Sequence, residues 1–490
     1  MRSTAREITL LSLGALLSCS GHPAEVHLDS IESVTPTKNI LLISVDTLRA
    51  DHLGLYGYSR QTSPLLDAWF EDGAIYERAY TTEANTAPAM MSCLTGLLPY
   101  QHGVRLLYQL ADPSIAVVSD YLGAAGYQTA AVVSNIVLTQ EAIGLNTRFD
   151  HYDDFVDEGE DYGATFERRA ARTTNSAIQW LATQREPDRS SFLWVHYIDP
   201  HGPYGAPEDR PIDFEHDQPI EIDDDRVPPY SRLPGVQDGA EYIDRYDEEI
   251  AYTDQEVDRL LKTYDDLGML ENSLVIFTAD HGESMMEHES WFTHGYHVYE
   301  EITHIPLMMR GRAVSGGRIS VPVSLADVAP TIIESAGMQP PGDSYGESLF
   351  HPAEGRTIFA EATDSSGSRR AVWRGSEKWI LAVPPPNKLA GRVARVFGLI
   401  GVPTPLWNQG ISLDGAVYHN LDTDPDELGP VSASQEADPL RDLLTVLDDD
   451  PFPGGVIVKS DSGRQIDAPK VAAGVDDEAL EKLRSLGYVQ

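Results

Sequence analysis

The chain has 490 residues, of which 41% are hydrophobic, and a formal net charge of −41 at pH 7. This length exceeds one ordinary hydrophobic core and fits a large catalytic domain with a smaller one beside it. So strong a negative charge argues against a surface that binds nucleic acid or anionic lipid headgroups, because both partners are themselves anionic. An anionic substrate would have to be attracted by local cations, above all by a metal ion.

The N-terminus has the pattern of a bacterial lipoprotein signal peptide. Two arginines precede an apolar run over residues 8–17, which ends just before Cys19. This pattern predicts a signal peptide over residues 1–18, a lipid on Cys19 and a flexible tether over residues 19–37. The alternative is a plain secretory signal with an incidental cysteine. We therefore expect a protein of the bacterial cell envelope that is anchored to the membrane by lipid and faces the periplasm or the exterior.

Four short apolar runs predict buried parallel strands. They are rich in β-branched residues and do not alternate with polar ones, as expected for strands that are covered on both faces. The runs lie at residues 39–45, 129–133, 192–198 and 274–278. A helical pattern at 246–264 precedes the last run. This alternation over residues 38–354 predicts an α/β catalytic domain, with a large mixed, mostly parallel sheet sandwiched by helices.

The sequence changes character after about Gly355. Short apolar runs separated by turns replace the longer strand and helix patterns, and a run of three prolines interrupts them at 384–386. Residues 355–490 therefore predict a smaller C-terminal α+β domain, which ends in a helix at about 476–486.

Two of the predicted strands end in residues that could do chemistry. Asp46 follows the first strand, and Asp280 and His281 follow the last. Sites in open α/β sheets form beyond the carboxyl ends of the strands. We therefore expect these side chains to share one site. The segment at 207–239, rich in Asp, Glu and Pro, predicts a surface excursion that could form a rim over it.

A helix N-terminus near Thr86 supplies a third candidate. Pro88 suits the first turn of a helix, which would place Thr86 at the N-cap, beside free backbone amides and the positive end of the helix dipole. A threonine in this position is ordinarily only a capping residue. If it faces a metal ion, however, its hydroxyl can ionise and attack a phosphorus or sulfur centre.

At these residues the chain resembles the sulfatase family of the alkaline phosphatase superfamily. The family signature is Cys or Ser, any residue, Pro, any residue and Arg, followed by Thr-Gly. Thr86, Pro88, Thr95 and Gly96 match this signature in register. Further matching blocks, in the family's order, lie at 44–52, 199–204, 278–283, 294–301 and 418–427. The resemblance thus extends over residues 38–490.

The resemblance implies a metal site formed by Asp46, Asp280 and His281, with the hydroxyl of Thr86 completing the ligands. Two carboxylates, one imidazole and one alkoxide suit a divalent cation. The family implies Ca²⁺, and Mn²⁺ or Zn²⁺ would also suit these ligands.

The resemblance also assigns roles to histidines. His201 and His294 match positions that contact the anionic group or protonate the leaving oxygen, for which a donor near neutral pH is needed. His288 and His297 are weaker candidates, which could support the metal ligands from behind.

The chain departs from the family pattern at three places. Thr86 stands where sulfatases have a Cys or Ser that is oxidised to formylglycine, and a secondary alcohol cannot give an aldehyde. Met90 replaces the signature arginine. Thr47 replaces one carboxylate of a tandem acidic pair, and Ser134 and Asn135 occupy the place of a family lysine.

These departures resemble the branch of the superfamily that uses a threonine nucleophile on phosphodiesters or phosphonates. They predict a metal-dependent hydrolase that forms a covalent bond from Thr86 to the phosphorus of its substrate. The substrate would be an anionic ester of a small molecule, glycan or lipid headgroup, and a phosphoester or phosphonate is favoured over a sulfate ester. The alternatives are a sulfuric ester hydrolase without formylglycine, a transferase of phospho-groups and an inactive relative that binds glycans.

Overall fold

The computed structural model of the protein describes residues 34–156, 168–207, 214–216, 218–364, 367–383, 415–434 and 437–449. The predicted signal peptide, most of the tether, the proline run at 384–386 and the predicted helix at 476–486 lie outside these residues.

An eight-stranded sheet forms the centre of the larger part of the chain. From one edge to the other, its strands are β12 (Gly317–Ile319), β2 (Ala74–Tyr76), β11 (Leu307–Gly311), β7 (Ser273–Ala279), β1 (Asn39–Val45), β6 (Ser191–Tyr197), β4 (Gln128–Val133) and β5 (His151–Asp153). The five strands from β7 to β5 are parallel, whereas β11 is antiparallel to both of its neighbours. The prediction of a mixed, mostly parallel sheet is confirmed.

The four strands predicted from apolar runs are β1, β4, β6 and β7, each within one residue of its predicted bounds at either end. Every residue of these strands is buried, which explains the lack of polar alternation in the sequence. The shorter strands β3 (Ala79–Tyr80), β8 (Ser284–Met285), β9 (Trp291–Thr293), β10 (His304–Ile305) and β13 (Val323–Ser324) form small sheets beside the central one.

Two groups of helices pack around the sheet. One group contains α1 (Pro64–Phe70), α6 (Ala170–Thr183) and α7 (Gly239–Asp266), and the other contains α2 (Thr86–Thr95), α4 (Val118–Ala124) and α9 (Val328–Ser335). The short helices are α3 (Pro99–His102), α5 (Gln140–Ile143) and α8 (Glu300–Thr303). In the described part of the chain, no helix combines the length and the apolar character needed to cross a bilayer.

Two helix boundaries differ from the prediction. Helix α7 begins seven residues earlier, at Gly239, because the carboxylate of Asp238 accepts a hydrogen bond from the amide of Ala240 and caps the helix. Helix α2 begins at Thr86, so Asn85 and not Thr86 is the N-cap residue. Thr86 therefore lies in the first turn, and its hydroxyl is not required for capping.

A five-stranded antiparallel sheet follows the central domain. Its strands are β14 (Ile358–Asp364), β15 (Gly367–Arg374), β16 (Glu377–Val383), β17 (Val417–Asn420) and β18 (Val431–Ser432), and α10 (Asp438–Asp449) packs against β15. The predicted smaller α+β unit is confirmed as a fold. Glu361 of β14 exchanges backbone hydrogen bonds with Thr82 and Ala84. The small sheet thereby supports the segment that leads to Thr86.

A close backbone contact joins the end of β7 to α8. The amide of Gly282 donates to the carbonyl of Ile302 at 2.8 Å, and a Cβ on Gly282 would lie 2.1 Å from the carbonyl oxygen of Glu301. Only glycine permits this approach, which fixes the loop after Asp280.

We expect Gly282→Ala to lower the free energy of unfolding by about 1–3 kcal/mol, because the two backbones must separate. Gly123→Ala is the matched control, since Gly123 lies in α4 and its Cβ would meet nothing within 4 Å. That substitution should leave stability unchanged or raise it by about 0.5–1 kcal/mol. Urea denaturation measures both, and equal midpoints for the two variants would contradict the tight contact.

Candidate active site

The neighbouring strands β1 and β7 bring two carboxylates together at their ends. Val45 and Ala279 are register partners, so Asp46 and Asp280 follow side by side, and both are fully buried. Asp280 Oδ1 accepts hydrogen bonds from the amides of Thr47 at 3.1 Å and His281 at 2.8 Å. Its other oxygen, Oδ2, has no hydrogen-bond partner among the described residues. Burying a carboxylate oxygen without a hydrogen-bond donor costs free energy unless a cation lies beside it.

His281 directs a nitrogen lone pair toward these carboxylates. Its Nδ1 lies 3.0 Å from the carbonyl oxygen of Gly282 and must carry the proton to donate to it. In the neutral ring Nε2 is then unprotonated, and it lies 3.5 Å from Asp280 Oδ2 and 4.0 Å from Asp46 Oδ1. This is the tautomer that a metal ligand requires.

The hydroxyl of Thr86 completes the group. Thr86 is 2% exposed and lies in the first turn of α2, whose C-terminal end is closed by Gly96 in a left-handed conformation. Its Oγ1 donates to Asp46 Oδ2 at 3.3 Å and lies 3.4 Å from His281 Nε2. The structure therefore brings all four predicted metal-site residues together.

The two carboxylates differ in charge state. Burial acts to raise the pKa of Asp46, but the hydrogen bond from His196 and the charges of the nearby histidines outweigh it and hold that pKa well below its usual range. Burial and the charge of Asp46 raise the pKa of Asp280 to about 7. Two adjacent buried carboxylates cannot both be ionised at low cost without a cation.

The donor set fits a divalent cation. It offers two carboxylates, an unprotonated imidazole nitrogen and a hydroxyl, and one carboxylate oxygen lacks a partner. The hydroxyl of Thr47, at the position of the missing family carboxylate, is also buried without a partner among the described residues. Oxygen and imidazole ligands suit Ca²⁺, Mn²⁺ and Zn²⁺ to different degrees, so these residues do not single out one metal.

Two residues that the sequence did not single out as site residues also contact Asp46. The amide of Asn135 donates to Asp46 Oδ2, and His196 Nε2 lies 3.4 Å from the same oxygen. His196 pairs with Ser44 in the register of β1 and β6, one position before the strand ends. A histidine so close to a strand end could have indicated a site residue, but this one lies within an apolar run of the sequence. Together with Asp46 and Asp280, His196 forms a group that could hold a metal ion.

His201 and His294 lie next to each other beside this group. Their ring centroids are 5.2 Å apart, and the ring of His294 lies 4.5 Å from that of His281. Nδ1 of His294 lies 3.2 Å from Glu283 Oε1. Burial lowers the pKa of His294 to about 4 and raises that of Glu283 to about 7. Both predicted histidines are therefore near Thr86 and the carboxylates.

The predicted surface excursion contributes an aromatic side chain to the site. Tyr230 stacks on His201 with centroids 5.8 Å apart and lies 6.2 Å from the ring of His294. Its hydroxyl is within 3.1 Å of Thr293 Oγ1. The described part of the segment at 207–239 thus reaches the histidine side of the site, and Tyr230 is a lining residue that the sequence pattern did not identify.

His288 and His297 belong to a different group. Both lie near Glu301, at 3.9 Å and 3.8 Å between ring nitrogen and carboxylate oxygen. Among the described residues, no contact supports the prediction that these two histidines hold the ligands at Asp46 in place from behind.

A family comparison agrees with this geometry. A model of the sulfatase family matches residues 38–338, which is more than half of the chain. The chain belongs to the sulfatase family.

Individual relatives are distant. The uncharacterized sulfatase YidJ of Escherichia coli (strain K12) is 25% identical over 369 residues, covering 66% of this chain and 72% of the relative. Iduronate 2-sulfatase of Homo sapiens is 26% identical over 378 residues, covering 62% and 66%. The crystal structure of the phosphonate monoester hydrolase of Agrobacterium radiobacter superposes with a TM-score of 0.62 at 19% identity, covering 84% and 95%. The protein is therefore a sulfatase-family hydrolase, and it shares the fold of that structure.

We expect Asp280→Asn to weaken binding of the divalent cation, because it removes one of the two carboxylates. In the wild-type chain, affinity should also fall as the pH is lowered below about 7, since Asp280 then holds a proton that must leave when the cation binds. Calorimetric titration with Ca²⁺, Mn²⁺ and Zn²⁺ between pH 5.5 and 8, at roughly half-unit steps, measures both effects. Affinity that is independent of pH and unchanged in Asp280→Asn would place the cation elsewhere.

Proposed function

We propose that the protein hydrolyses phosphate or phosphonate esters, with Thr86 as the nucleophile and a divalent cation held by Asp46, Asp280 and His281. The observation that carries this proposal is the position of the Thr86 hydroxyl, 3.3 Å from Asp46 and 3.4 Å from His281 at the start of a helix. Two of the proposed ligands thus lie beside this buried hydroxyl, and the amides of the first turn of α2 favour an anion there.

The bound cation would lower the pKa of the Thr86 hydroxyl and neutralise charge on the transferring group. Thr86 Oγ1 forms a bond to phosphorus while the bond from phosphorus to the leaving oxygen breaks. The leaving oxygen takes a proton from one of the two nearby histidines, His294 or His201. Water then attacks the phosphorus as the bond to Thr86 Oγ1 breaks. One proton of the water regenerates the Thr86 hydroxyl, and the proton that Thr86 released on its attack restores the histidine.

The chemistry of threonine supports a phosphorus centre over a sulfate ester. A secondary alcohol oxidises to a ketone, whose hydrate is disfavoured, so the formylglycine route of sulfatases is closed at Thr86. Met90, at the position of the signature arginine, is fully buried in the hydrophobic core and contributes no cation. The anion would then be bound by the cation, the helix amides and the histidines.

His294 is the stronger candidate for the proton donor. Its Nδ1 lies 3.2 Å from Glu283 Oε1, and burial raises the pKa of Glu283 to about 7. A protonated Glu283 can donate to Nδ1 and keep the ring proton on Nε2, which can pass it to the leaving oxygen as the Glu283 proton moves to Nδ1. Glu283 is itself fixed by the hydroxyl of Tyr204 at 3.2 Å. His201 uses Nδ1 to donate to the carbonyl of Gly202 at 2.7 Å, and we assign it to binding of the anionic group.

We expect Thr86→Ala to reduce kcat/KM on phosphodiester and phosphonate chromogens by at least about 10³-fold, because the nucleophile is lost. Thr86→Ser should retain part of the activity, since it keeps the hydroxyl. Thr95→Ala is the matched control at the far end of the same helix, where the hydroxyl donates to the carbonyl of Met91 and accepts from the amide of Leu97, and it should leave the rate unchanged.

Aryl sulfate, phosphate monoester, phosphodiester and phosphonate chromogens should be compared in the same assay, with and without an added alcohol. Turnover of sulfate alone would favour a sulfuric ester hydrolase, and transfer to the alcohol without hydrolysis would favour a transferase. Activity that survives Thr86→Ala would exclude Thr86 as the nucleophile. No turnover of any ester by a metal-loaded chain would favour a glycan-binding relative.

We expect His294→Gln to lower kcat/KM about 10²-fold more on an alkyl ester than on the matching nitrophenyl ester, because only the poorer leaving group needs a proton. His351→Gln, at an exposed histidine, is the control. Equal losses on the two esters would assign His294 to binding and leave the proton to another group.

We propose further that the protein is anchored to the cell envelope by lipid on Cys19. The support is the sequence pattern before that residue, which lies outside the described part of the chain. In a bacterial host, the wild-type protein should fractionate with membranes and carry fatty acid on its N-terminal peptide, whereas Cys19→Ala should do neither. An identical distribution of the two proteins would indicate a plain secretory signal.

A further inference from the structure

A second group of metal-ligating side chains lies apart from Asp46 and Asp280. It consists of His288, His297, Glu301 and Glu427, and we call it the histidine–glutamate cluster. His288 Nε2 is 3.9 Å from Glu301 Oε2, and His297 Nε2 is 3.8 Å from Glu301 Oε1. One ligand atom from each of His288, Glu301 and Glu427 can be chosen so that all three lie within 4.8 Å of one another.

The cluster is buried, and several of its polar atoms are unpartnered. His297 and Glu301 are each 8% exposed and Glu427 is 2% exposed. Neither ring nitrogen of His297, nor Oε1 of Glu301, has a hydrogen-bond partner among the described residues. Buried imidazole and carboxylate groups are rarely left in this state, because each has lost its bonds to water.

The separations within the cluster leave room for an ion. Distances of 3.8–3.9 Å are too long for direct hydrogen bonds between the histidines and Glu301. They are close to the roughly 3.4 Å between two ligand atoms of a tetrahedral zinc ion, given metal–ligand distances of about 2.1 Å. A small inward movement would bring His288, Glu301 and Glu427 to a common cation, with His297 beside the other oxygen of Glu301.

The charges around the cluster also favour a bound cation. Glu300, Glu301 and Glu427 lie together, and Lys378 is the buried cation that pairs with two of them, at 3.0 Å from Glu300 and 2.8 Å from Glu427. Glu301 has no salt bridge to a lysine or arginine among the described residues, although Arg49, Glu287 and Glu427 lie near enough to act on its charge, as do the two histidines. A divalent cation at Glu301 would supply the directly paired positive charge that this third carboxylate lacks.

We propose that the histidine–glutamate cluster is a second, structural metal site that binds a divalent cation of the zinc type. Two imidazoles and one or two carboxylates are the ligands such a cation prefers, whereas Ca²⁺ and Mg²⁺ prefer oxygen alone. His288 supplies the most accessible of these side chains, with 12% of it exposed, and so offers a path of entry.

An ion at this place would stabilise the loop that carries the candidate proton donor. His297 follows His294 by three residues, and the backbone of Glu301 packs against Gly282, next to His281. His288 and Glu427 both have left-handed backbone conformations, with φ of 49° and 52°, which are costly for residues other than glycine. Ligation of both side chains would offset that cost.

The experiment counts zinc in the purified full chain after chelation, reloading with Zn²⁺ and removal of unbound metal. Elemental analysis should find one equivalent fewer in Glu301→Gln than in the wild type, and also one fewer in His297→Gln. Glu289→Gln is the matched control, because Glu289 is a highly exposed carboxylate of the same loop. It should bind as much zinc as the wild type.

Asp280→Asn separates this site from the candidate active site. The double variant Asp280→Asn with Glu301→Gln should bind less zinc than Asp280→Asn alone, whatever the active site binds. Far-UV circular dichroism shows whether Glu301→Gln is folded, and His288→Gln replaces it if it is not. Cobalt substitution should give visible bands of a four-coordinate site in Asp280→Asn that disappear in the double variant. Equal zinc content with and without Glu301, in folded chains, would overturn the second site.

Discussion

Two carboxylates buried side by side impose the central constraint on this protein. Asp46 and Asp280 follow neighbouring parallel strands, and neither reaches solvent. Like charges at this depth are tolerable only beside a cation or with a proton retained between them. The surrounding structure places polar atoms against these two side chains. They belong to His281, Asn135, His196 and Thr86.

The remaining architecture fixes where the reacting group can lie. Helix α2 begins at Thr86, and the small antiparallel sheet holds the segment before it through Glu361. The contact of Gly282 with α8 fixes the loop after Asp280. The hydroxyl, the carboxylates and the histidines are thus carried by different elements, and each element is tied to the core by backbone hydrogen bonds. Such a site needs little reorganisation when an anion binds.

Most of the sheet, and the residues that the structure brings together at its edge, could be predicted from the sequence. Buried parallel strands leave continuous apolar runs, and a carboxylate directly after such a run is visible without a structure. Asp46, Asp280 and His281 were found in this way and Thr86 from the helix start that Pro88 marks, with the family resemblance supplying the roles of all four. The start of α7 was missed because its N-cap, Asp238, lies in a segment so rich in acidic residues that one capping carboxylate is not distinctive.

The contacts that escaped prediction depend on pairing between distant segments. His196 lies within an apolar strand, and only the register of β1 with β6 places it beside Asp46. Tyr230 belongs to a long excursion whose path has no periodic pattern, yet it stacks on His201. The positions of His288 and His297 are likewise set by the loops on either side of β9. From the sequence, both were expected to support the metal ligands from behind, as weaker candidates than His201 and His294.

Mass spectrometry of the tryptic peptide 79–105 tests most directly whether Thr86 is the nucleophile. The chain is quenched during turnover of a phosphodiester, and the peptide is fragmented to locate any modification. A phosphoryl-containing group from the substrate on Thr86 during turnover, and its absence once substrate is exhausted, is the expected result. A peptide that stays unmodified while product forms at every quench time, or a group located on another residue, would contradict a covalent role for Thr86.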